Sequence, residues 1–217
     1  MKLYSFSKIT LAIATLIMLL HANNIYSQIV FPSQSTYKYL RGNEAQSLGT
    51  NWVNPDFDDS FWDEGSAPFR YGDGEGGSEL SDMNGNYSTL FLRSKFEVNN
   101  LENITNTIIA MDWDDGFALW INGVEVLSQQ RPETITYDAL SSGQHESGTS
   151  ELFTIDVEDL NLIEGENTLA VFACNTSLSG SSDFYIDLSI SAVAQLSNVL
   201  DYVEISISHN SGFYGSA

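Results

Sequence analysis

The chain has 217 residues, of which 29 are acidic and 8 are basic, so its formal net charge at pH 7 is −21. Such a surface repels phosphate backbones and anionic lipid, which excludes nucleic acid as an expected partner. Hydrophobic residues make up 42% of the chain, enough for one main domain with its own core. The single cysteine, Cys174, rules out an intrachain disulfide, and its apolar neighbours predict a buried, unreactive thiol.

The first 27 residues have the pattern of a secretory signal peptide. Lys2 and Lys8 precede an apolar run over residues 9–20, which is too short to span a bilayer comfortably, and a polar stretch then leads to Ser27. We expect cleavage near Ser27 and a mature protein that is secreted or held at the cell surface, with no membrane span. Loss of the two lysines makes the mature protein still more acidic.

Two connections between predicted strands are long, residues 70–88 and residues 128–150. Loops of this length are often functional or disordered. Tyr71, at the start of the first loop, is a candidate ligand-binding residue. His145, in the second, is expected to be a solvated loop residue rather than a ligand.

Short alternating apolar runs, separated by turn residues, fill most of the chain after the leader. The clearest run puts Leu90, Leu92, Phe96 and Val98 on one face of a half-buried strand over residues 90–98. The other predicted strands are residues 107–111, 117–121, 152–157, 168–174 and 184–190. Many strands with few helices predict an all-β fold, a β-sandwich.

Asp112, Asp114 and Asp115 form an acidic cluster before the strand over residues 117–121. Carboxylates are hard oxygen ligands, so these three are candidate metal ligands for calcium, although their spacing lacks the glycine and distal glutamate of an EF-hand loop. To complete such a site, the fold would have to bring Asp58, Asp59 or Asp183 near these three residues. The alternative is that the cluster only caps turns.

A β-hairpin is predicted at Asn122-Gly123, since these two residues accept the positive φ angles of a tight two-residue turn. On the strand before the turn, Trp120 faces away from Leu119 and Ile121. An exposed tryptophan on a sheet can stack on a pyranose ring, so Trp120 is a candidate ligand-binding residue together with Asp115. The alternative is that Trp120 faces the second sheet.

Four aromatic residues in the N-terminal part, Trp52, Phe57, Trp62 and Phe69, are predicted to cover one end of the sandwich. Sugar stacking is their alternative role.

Catalysis within this chain is not expected. Paired carboxylates are the catalytic groups of most glycoside hydrolases, but such pairs are abundant by chance in so acidic a chain. The indication of a Ser-His-acid triad is weaker still, because His145 lies in a loop and His209 lies in the C-terminal tail.

A series of motifs runs along the chain, namely Trp52, Asp56-Phe57-Asp58-Asp59-Ser60-Phe61-Trp62, Gly65, Tyr71-Gly72, Asp114-Asp115-Gly116, Asn122-Gly123, Leu162-Ile163-Glu164-Gly165-Glu166-Asn167-Thr168-Leu169-Ala170-Val171 and Ser181-Ser182-Asp183-Phe184. This series resembles galactose-binding-like β-sandwich modules, which occur in secreted multidomain proteins of bacteria. The resemblance spans roughly residues 37–192 and implies a jelly-roll fold. A similar series occurs in the sugar-binding jelly roll of β-galactosidase-like hydrolases.

The C-terminal tail, residues 203–217, starts a new alternation that is similar to the first strand of the small β-domain of chitobiase-like enzymes. That resemblance implies a parent protein with a kinase-like domain resembling spore-coat protein H, or with a lamin-tail-like domain. We therefore expect a signal peptide over residues 1–27, a galactose-binding-like sandwich over 28–195, a linker over 196–202 and a truncated second domain over 203–217.

The sequence as a whole predicts a non-catalytic accessory module of a larger secreted protein, which binds a glycan or another cell-surface ligand. The alternative is a structural spacer that positions a downstream catalytic domain.

Overall fold

Two six-stranded sheets make up the computed structural model of the chain, which describes residues 24–196. The strands are β1 Asn24–Phe31, β2 Thr36–Arg41, β3 Asp63–Ser66, β4 Phe69–Tyr71, β5 Ser78–Glu79, β6 Thr89–Val98, β7 Ile104–Trp113, β8 Gly116–Ile121, β9 Val124–Gln129, β10 Glu151–Asp156, β11 Gly165–Cys174 and β12 Phe184–Leu196. The first sheet has the order β10-β7-β12-β4-β5, with β1 also paired to β12. The second has the order β3-β2-β6-β11-β8-β9.

The predicted all-β sandwich is confirmed. Helical structure in residues 24–196 is limited to four short 3₁₀ turns, Gly42–Glu44, Asn51–Val53, Leu101–Asn103 and Val157–Asp159. None of the described residues form a helix long and apolar enough to cross a membrane.

Strand β6 shows why the alternating runs fold as sheets. Leu90, Leu92, Phe96 and Val98 all lie in the apolar cluster between the two sheets, as their spacing predicts. Strand β6 pairs with β11 along its whole length, so these side chains meet a matching row from the neighbouring strand. The other predicted strands correspond to β7, β8, β10, β11 and β12.

A second apolar cluster covers the opposite, outer face of the second sheet. Phe91, Trp120 and Phe172 project from β6, β8 and β11, and Trp52 and Trp62 pack over them from the segment between β2 and β3. The Trp52 ring lies 5.2 Å from Phe91 and 5.3 Å from Trp120, both edge-on. The outer face of this sheet is therefore a second core rather than a solvated surface.

The hairpin between β8 and β9 turns at Asn122 and Gly123, as predicted. Their φ angles are 49° and 84°, which are the positive values that a type I′ turn requires. The Asn122 side chain also donates from Nδ2 to Asn167 Oδ1 at 2.8 Å, which fastens the turn to β11.

Two predicted segments, the signal peptide and the start of a second domain, fall largely outside the described residues. Strand β1 begins at Asn24, upstream of the expected cleavage near Ser27. Cleavage at Ser27 would remove the first part of this strand.

Candidate functional site

Three loops are joined at one end of the sandwich by the carboxylate of Asp115. Its Oδ2 accepts hydrogen bonds from the Thr176 backbone N–H at 2.7 Å and from the Thr176 hydroxyl at 2.9 Å. Its own N–H donates to the carbonyl of His145 at 3.0 Å. Asp115 has a φ of 61°, a left-handed conformation that aspartate adopts more readily than most residues. The carboxylate of Asp115 therefore holds the loops together through Thr176.

The long loop over residues 130–150 is fixed by His145. The imidazole stacks on Trp113 with ring centroids 3.9 Å apart and an angle of 11° between the planes. Its Nδ1 lies 3.0 Å from the Trp113 carbonyl and its Nε2 lies 3.0 Å from Glu151 Oε1. Although burial opposes the change, the hydrogen bond to Glu151 raises the pKa of His145. The expectation that His145 is a solvated loop residue was wrong, because the tryptophan ring provides a stacking surface.

An acidic cluster of Asp114, Glu146 and Asp183 lies where these loops meet. Each residue offers a carboxylate oxygen, and these oxygens lie within 4.8 Å of one another. Asp114 is only 3% exposed, and among residues 24–196 no hydrogen bond to its carboxylate is formed. Burial, followed by repulsion from Asp183, Asp115 and Glu146, raises the pKa of Asp114 to about 7. A buried carboxylate that faces two others suits a divalent cation.

The metal ligands predicted from the sequence are not brought together. Asp112 lies on β7 opposite Asp187 of β12, and its Oδ1 accepts a hydrogen bond from the Gly148 N–H at 2.8 Å. It belongs to a different face of the strand from Met111 and Trp113, because side chains alternate along β7. The carboxylate of Asp115 accepts its hydrogen bonds from Thr176. Of the three predicted ligands, only Asp114 therefore joins the acidic cluster.

Neither Tyr71 nor Trp120 presents a surface to a ligand. Tyr71 is 7% exposed, and its hydroxyl donates to the Ser181 carbonyl at 3.1 Å and accepts from Asn175 Nδ2 at 3.0 Å. Trp120 is 9% exposed because Trp52 covers it. It faces outward, away from the first sheet, but a second layer of aromatic residues shields it from solvent.

A cleft of about 610 Å³ lies over the aromatic layer on the outer face of the second sheet. Phe61 is 67% exposed on its wall, whereas Phe57 beside it is half-buried. The polar side chains that line the cleft include Glu44, Asn51, Asn54, Asp56 and Asp58. The cleft therefore combines an accessible aromatic ring with amides and carboxylates, and we call it the Phe61 cleft.

Arg93 of β6 fixes the wall of the Phe61 cleft from below. Its Nε donates to Asp59 Oδ2 at 2.7 Å, and its NH1 group donates to the carbonyls of Trp52 and Asn54. The guanidinium also lies 5.3 Å from the centroid of the Phe57 ring. Because Arg93 sits on a central strand, these contacts attach the segment before β3 to the rigid sheet.

The exposed position of Phe61 was not predicted from the sequence. Trp52 and Trp62 are buried as predicted, but they cover the outer face of the second sheet, whereas Phe69 lies in the cluster between the sheets. Phe61 and Trp62 lie in the turn just before β3, where Trp62 N–H donates to the Asp59 carbonyl at 3.0 Å. The sequence carries no periodic pattern there that would show which of the two aromatic side chains is exposed.

Comparisons with known proteins give the fold and no more. No protein-family model matches the chain, and no curated protein matches its sequence. Among solved structures, a β-glucuronidase of an uncultured Clostridium species matches with a TM-score of 0.50 and 17% identity, over 80% of this chain and 30% of that one. β-Glucuronidase 2 of Bacteroides uniformis, covalently bound to cyclophellitol-6-carboxylate aziridine, matches with a TM-score of 0.50 and 17% identity, over 78% of this chain and 18% of that one.

The chain thus spans less than a third of either enzyme. At this identity the likeness supports the all-β sandwich alone, since one fold carries many functions.

Proposed function

We propose that this protein is a non-catalytic accessory module that binds a glycan in the Phe61 cleft. The observation that carries the proposal is the exposed Phe61 ring, which is surrounded by the amides of Asn51 and Asn54 and by nearby carboxylates. Aromatic rings pack against the apolar faces of pyranoses, and amide and carboxylate groups hydrogen-bond to sugar hydroxyls. The cleft volume falls within the range of about 300–1,000 Å³ that small-ligand sites occupy.

The cleft is built before any ligand arrives. Arg93 and the packed rings of Trp52 and Trp62 hold its floor and wall in place. A rigid site loses little conformational entropy on binding, so even a few sugar contacts yield measurable affinity.

Asp58, one of the cleft carboxylates, does not have the pKa that a proton donor in hydrolysis requires. Glycoside hydrolysis needs one carboxylic acid that is protonated near neutral pH and acts as the proton donor. Hydrogen bonds from Ser60 instead lower the pKa of Asp58, which is fully open to solvent in the cleft. The two enzymes of similar fold are glycosidases by name, and a carbohydrate-related accessory role is compatible with that likeness.

A glycan array tests the proposal. The wild-type protein is expected to bind at least one glycan, and Phe61→Ala is expected to lose that binding. An array on which the wild type binds nothing would reject the proposal and favour the spacer. Equal binding by Phe61→Ala would place any glycan site elsewhere.

We further propose that the acidic cluster holds one calcium ion. The supporting observation is the buried carboxylate of Asp114, which accepts no hydrogen bond among the described residues and faces Glu146 and Asp183. Calcium takes six to eight oxygen ligands in flexible geometry, so loop carbonyls and water would complete its shell. The ion would fasten the loop over residues 130–150 to the β11–β12 connection. Calorimetric titration of chelator-treated protein should show a single site, and no binding at millimolar calcium would reject it.

Export is also proposed, on the signal-peptide pattern of residues 1–27. Mass spectrometry of the protein recovered from a bacterial culture tests this, since the mature N-terminus should lie near Ser27. Recovery of the uncleaved chain inside the cells would contradict export.

A further inference from the structure

The charges around the Phe61 cleft are almost all negative. Its lining includes Glu44, Asp56 and Asp58, and none of its lining residues is basic. From this we infer that the cleft selects glycans without acidic groups and rejects sugars that carry a carboxylate or a sulfate, with Asp56 and Asp58 as the specificity-determining residues. The inference rests on the proposed glycan binding and adds the chemical class of the ligand.

The two arginines nearest the cleft do not offset this charge. Arg93 is buried and is already paired with Asp59 at 2.7 Å. Arg41 reaches Glu44 at 3.5 Å, but it also contacts Asp63 at 2.7 Å, so its charge is shared between carboxylates. Neither guanidinium is available to an acidic sugar.

Asp56 and Asp58 keep their negative charge free for an incoming ligand. Both side chains are exposed, and neither forms an ion pair with any of the described residues. They line the same cleft as Phe57 and Phe61, so a sugar stacked on Phe61 would share the cleft with both carboxylates. A carboxylate on that sugar would meet like charges at short range.

The expected effect is moderate and depends on salt. Two like charges about 6 Å apart in water repel enough to weaken binding about threefold, so two carboxylates should weaken it about tenfold. Screening shortens the range of this repulsion to about 3 Å at 1 M salt, compared with about 10 Å at 0.1 M. A steric mechanism of selection would not respond to salt in this way.

The experiment compares sugars that differ only at the acidic group. The probes are hexasaccharides of hyaluronan, polygalacturonate and polymannuronate, each tested in its native form and after chemical reduction of its carboxylates to alcohols. At low salt we expect the reduced form of a bound probe to have about tenfold higher affinity than the native form. At 1 M salt the difference should shrink to about twofold or less.

Two double variants separate local charge from the overall acidity of the protein. Asp56→Asn with Asp58→Asn should abolish the discrimination, so that the native and reduced forms of a probe bind with equal affinity. Glu158→Gln with Asp159→Asn removes the same amount of charge from an exposed 3₁₀ turn that does not line the cleft, and should leave the discrimination unchanged. Equal loss of discrimination in both double variants would overturn the assignment of Asp56 and Asp58.

Failure of the inference and failure of the proposed function give different results. Native uronates that bind as tightly as their reduced forms, and lose binding in Phe61→Ala, would overturn the charge selection and leave the glycan site standing. Binding of probes that is insensitive to Phe61→Ala would overturn the proposed site and the charge selection together.

Discussion

Arg93 Nε and Asp59 Oδ2 lie 2.7 Å apart, and this pair connects the centre of the second sheet to the wall of the Phe61 cleft. The Arg93 side chain is only 2% exposed, whereas that of Asp59 is 29% exposed. The cation is therefore the buried member, and it depends on the carboxylate for its counter-charge.

Asp59→Asn should destabilise the protein measurably. The change leaves the buried guanidinium of Arg93 with neutral acceptors only, and we expect the free energy of unfolding to fall by about 2 kcal/mol. Urea denaturation measures this. Asp56→Asn is the matched control, since Asp56 is exposed and does not pair with Arg93, and its unfolding midpoint should not change. Equal effects of the two variants would contradict the anchoring role of the ion pair.

Phe61 and Trp120 should give opposite results when they are replaced. Phe61→Ala removes an exposed ring, so it should abolish glycan binding while changing the free energy of unfolding by less than about 0.5 kcal/mol. Trp120→Phe alters a packed site beneath Trp52, so it should cost about 1–2 kcal/mol of stability and keep the glycan affinity. Binding isotherms and urea denaturation of both variants check this. Loss of binding in Trp120→Phe alone would return the site to Trp120.

Calcium should stabilise the protein through Asp114 and Asp183 but not through Asp112. A site that is saturated a hundredfold above its dissociation constant adds about 2.7 kcal/mol, which should raise the Tm by about 5 °C or more. Asp114→Asn and Asp183→Asn should abolish this rise. Asp112→Asn should retain it, because Asp112 bonds to Gly148 outside the acidic cluster. Retention of the full rise in Asp114→Asn would exclude the acidic cluster as the calcium site.

Without metal, the protein should become less stable as the pH rises from about 4 to about 7. Asp114 titrates near 3.8 when unfolded and near 7 when folded, so between these values the folded state binds more protons. His145 acts in the same direction, since its raised pKa gives stability that is lost at higher pH. The measurement is urea denaturation at pH 5 and pH 8 with a chelator present. The difference in stability between the two pH values should be smaller in Asp114→Asn, and an unchanged difference would contradict the raised pKa of Asp114.

The parts of the fold that depend on local pattern were predictable from the sequence. Strand β6 follows from the alternation of Leu90, Leu92, Phe96 and Val98, and the hairpin follows from Asn122-Gly123. The short strands β3, β4 and β5 were not predicted, because segments of two to four residues are too short to show a period.

The candidate sites were harder to predict, because they depend on contacts between distant parts of the chain. The acidic run that ends at Asp115 is visible in the sequence, but Glu146 and Asp183 reach Asp114 only through the order of the strands and the stacking of His145. The Phe61 cleft likewise depends on Arg93, which a periodic pattern places on the solvent face of β6. The partner that keeps Arg93 buried, Asp59, lies in a loop.

Glycan binding in the Phe61 cleft is tested most directly by mapping the backbone amide shifts of the protein by NMR during titration with the neutral oligosaccharide that binds best on the array. The shift changes should centre on residues 44–61, around Asn51, Asn54 and Phe61. Changes centred instead on the loops around Asp114 and Tyr71, with residues 44–61 unaffected, would contradict binding in this cleft.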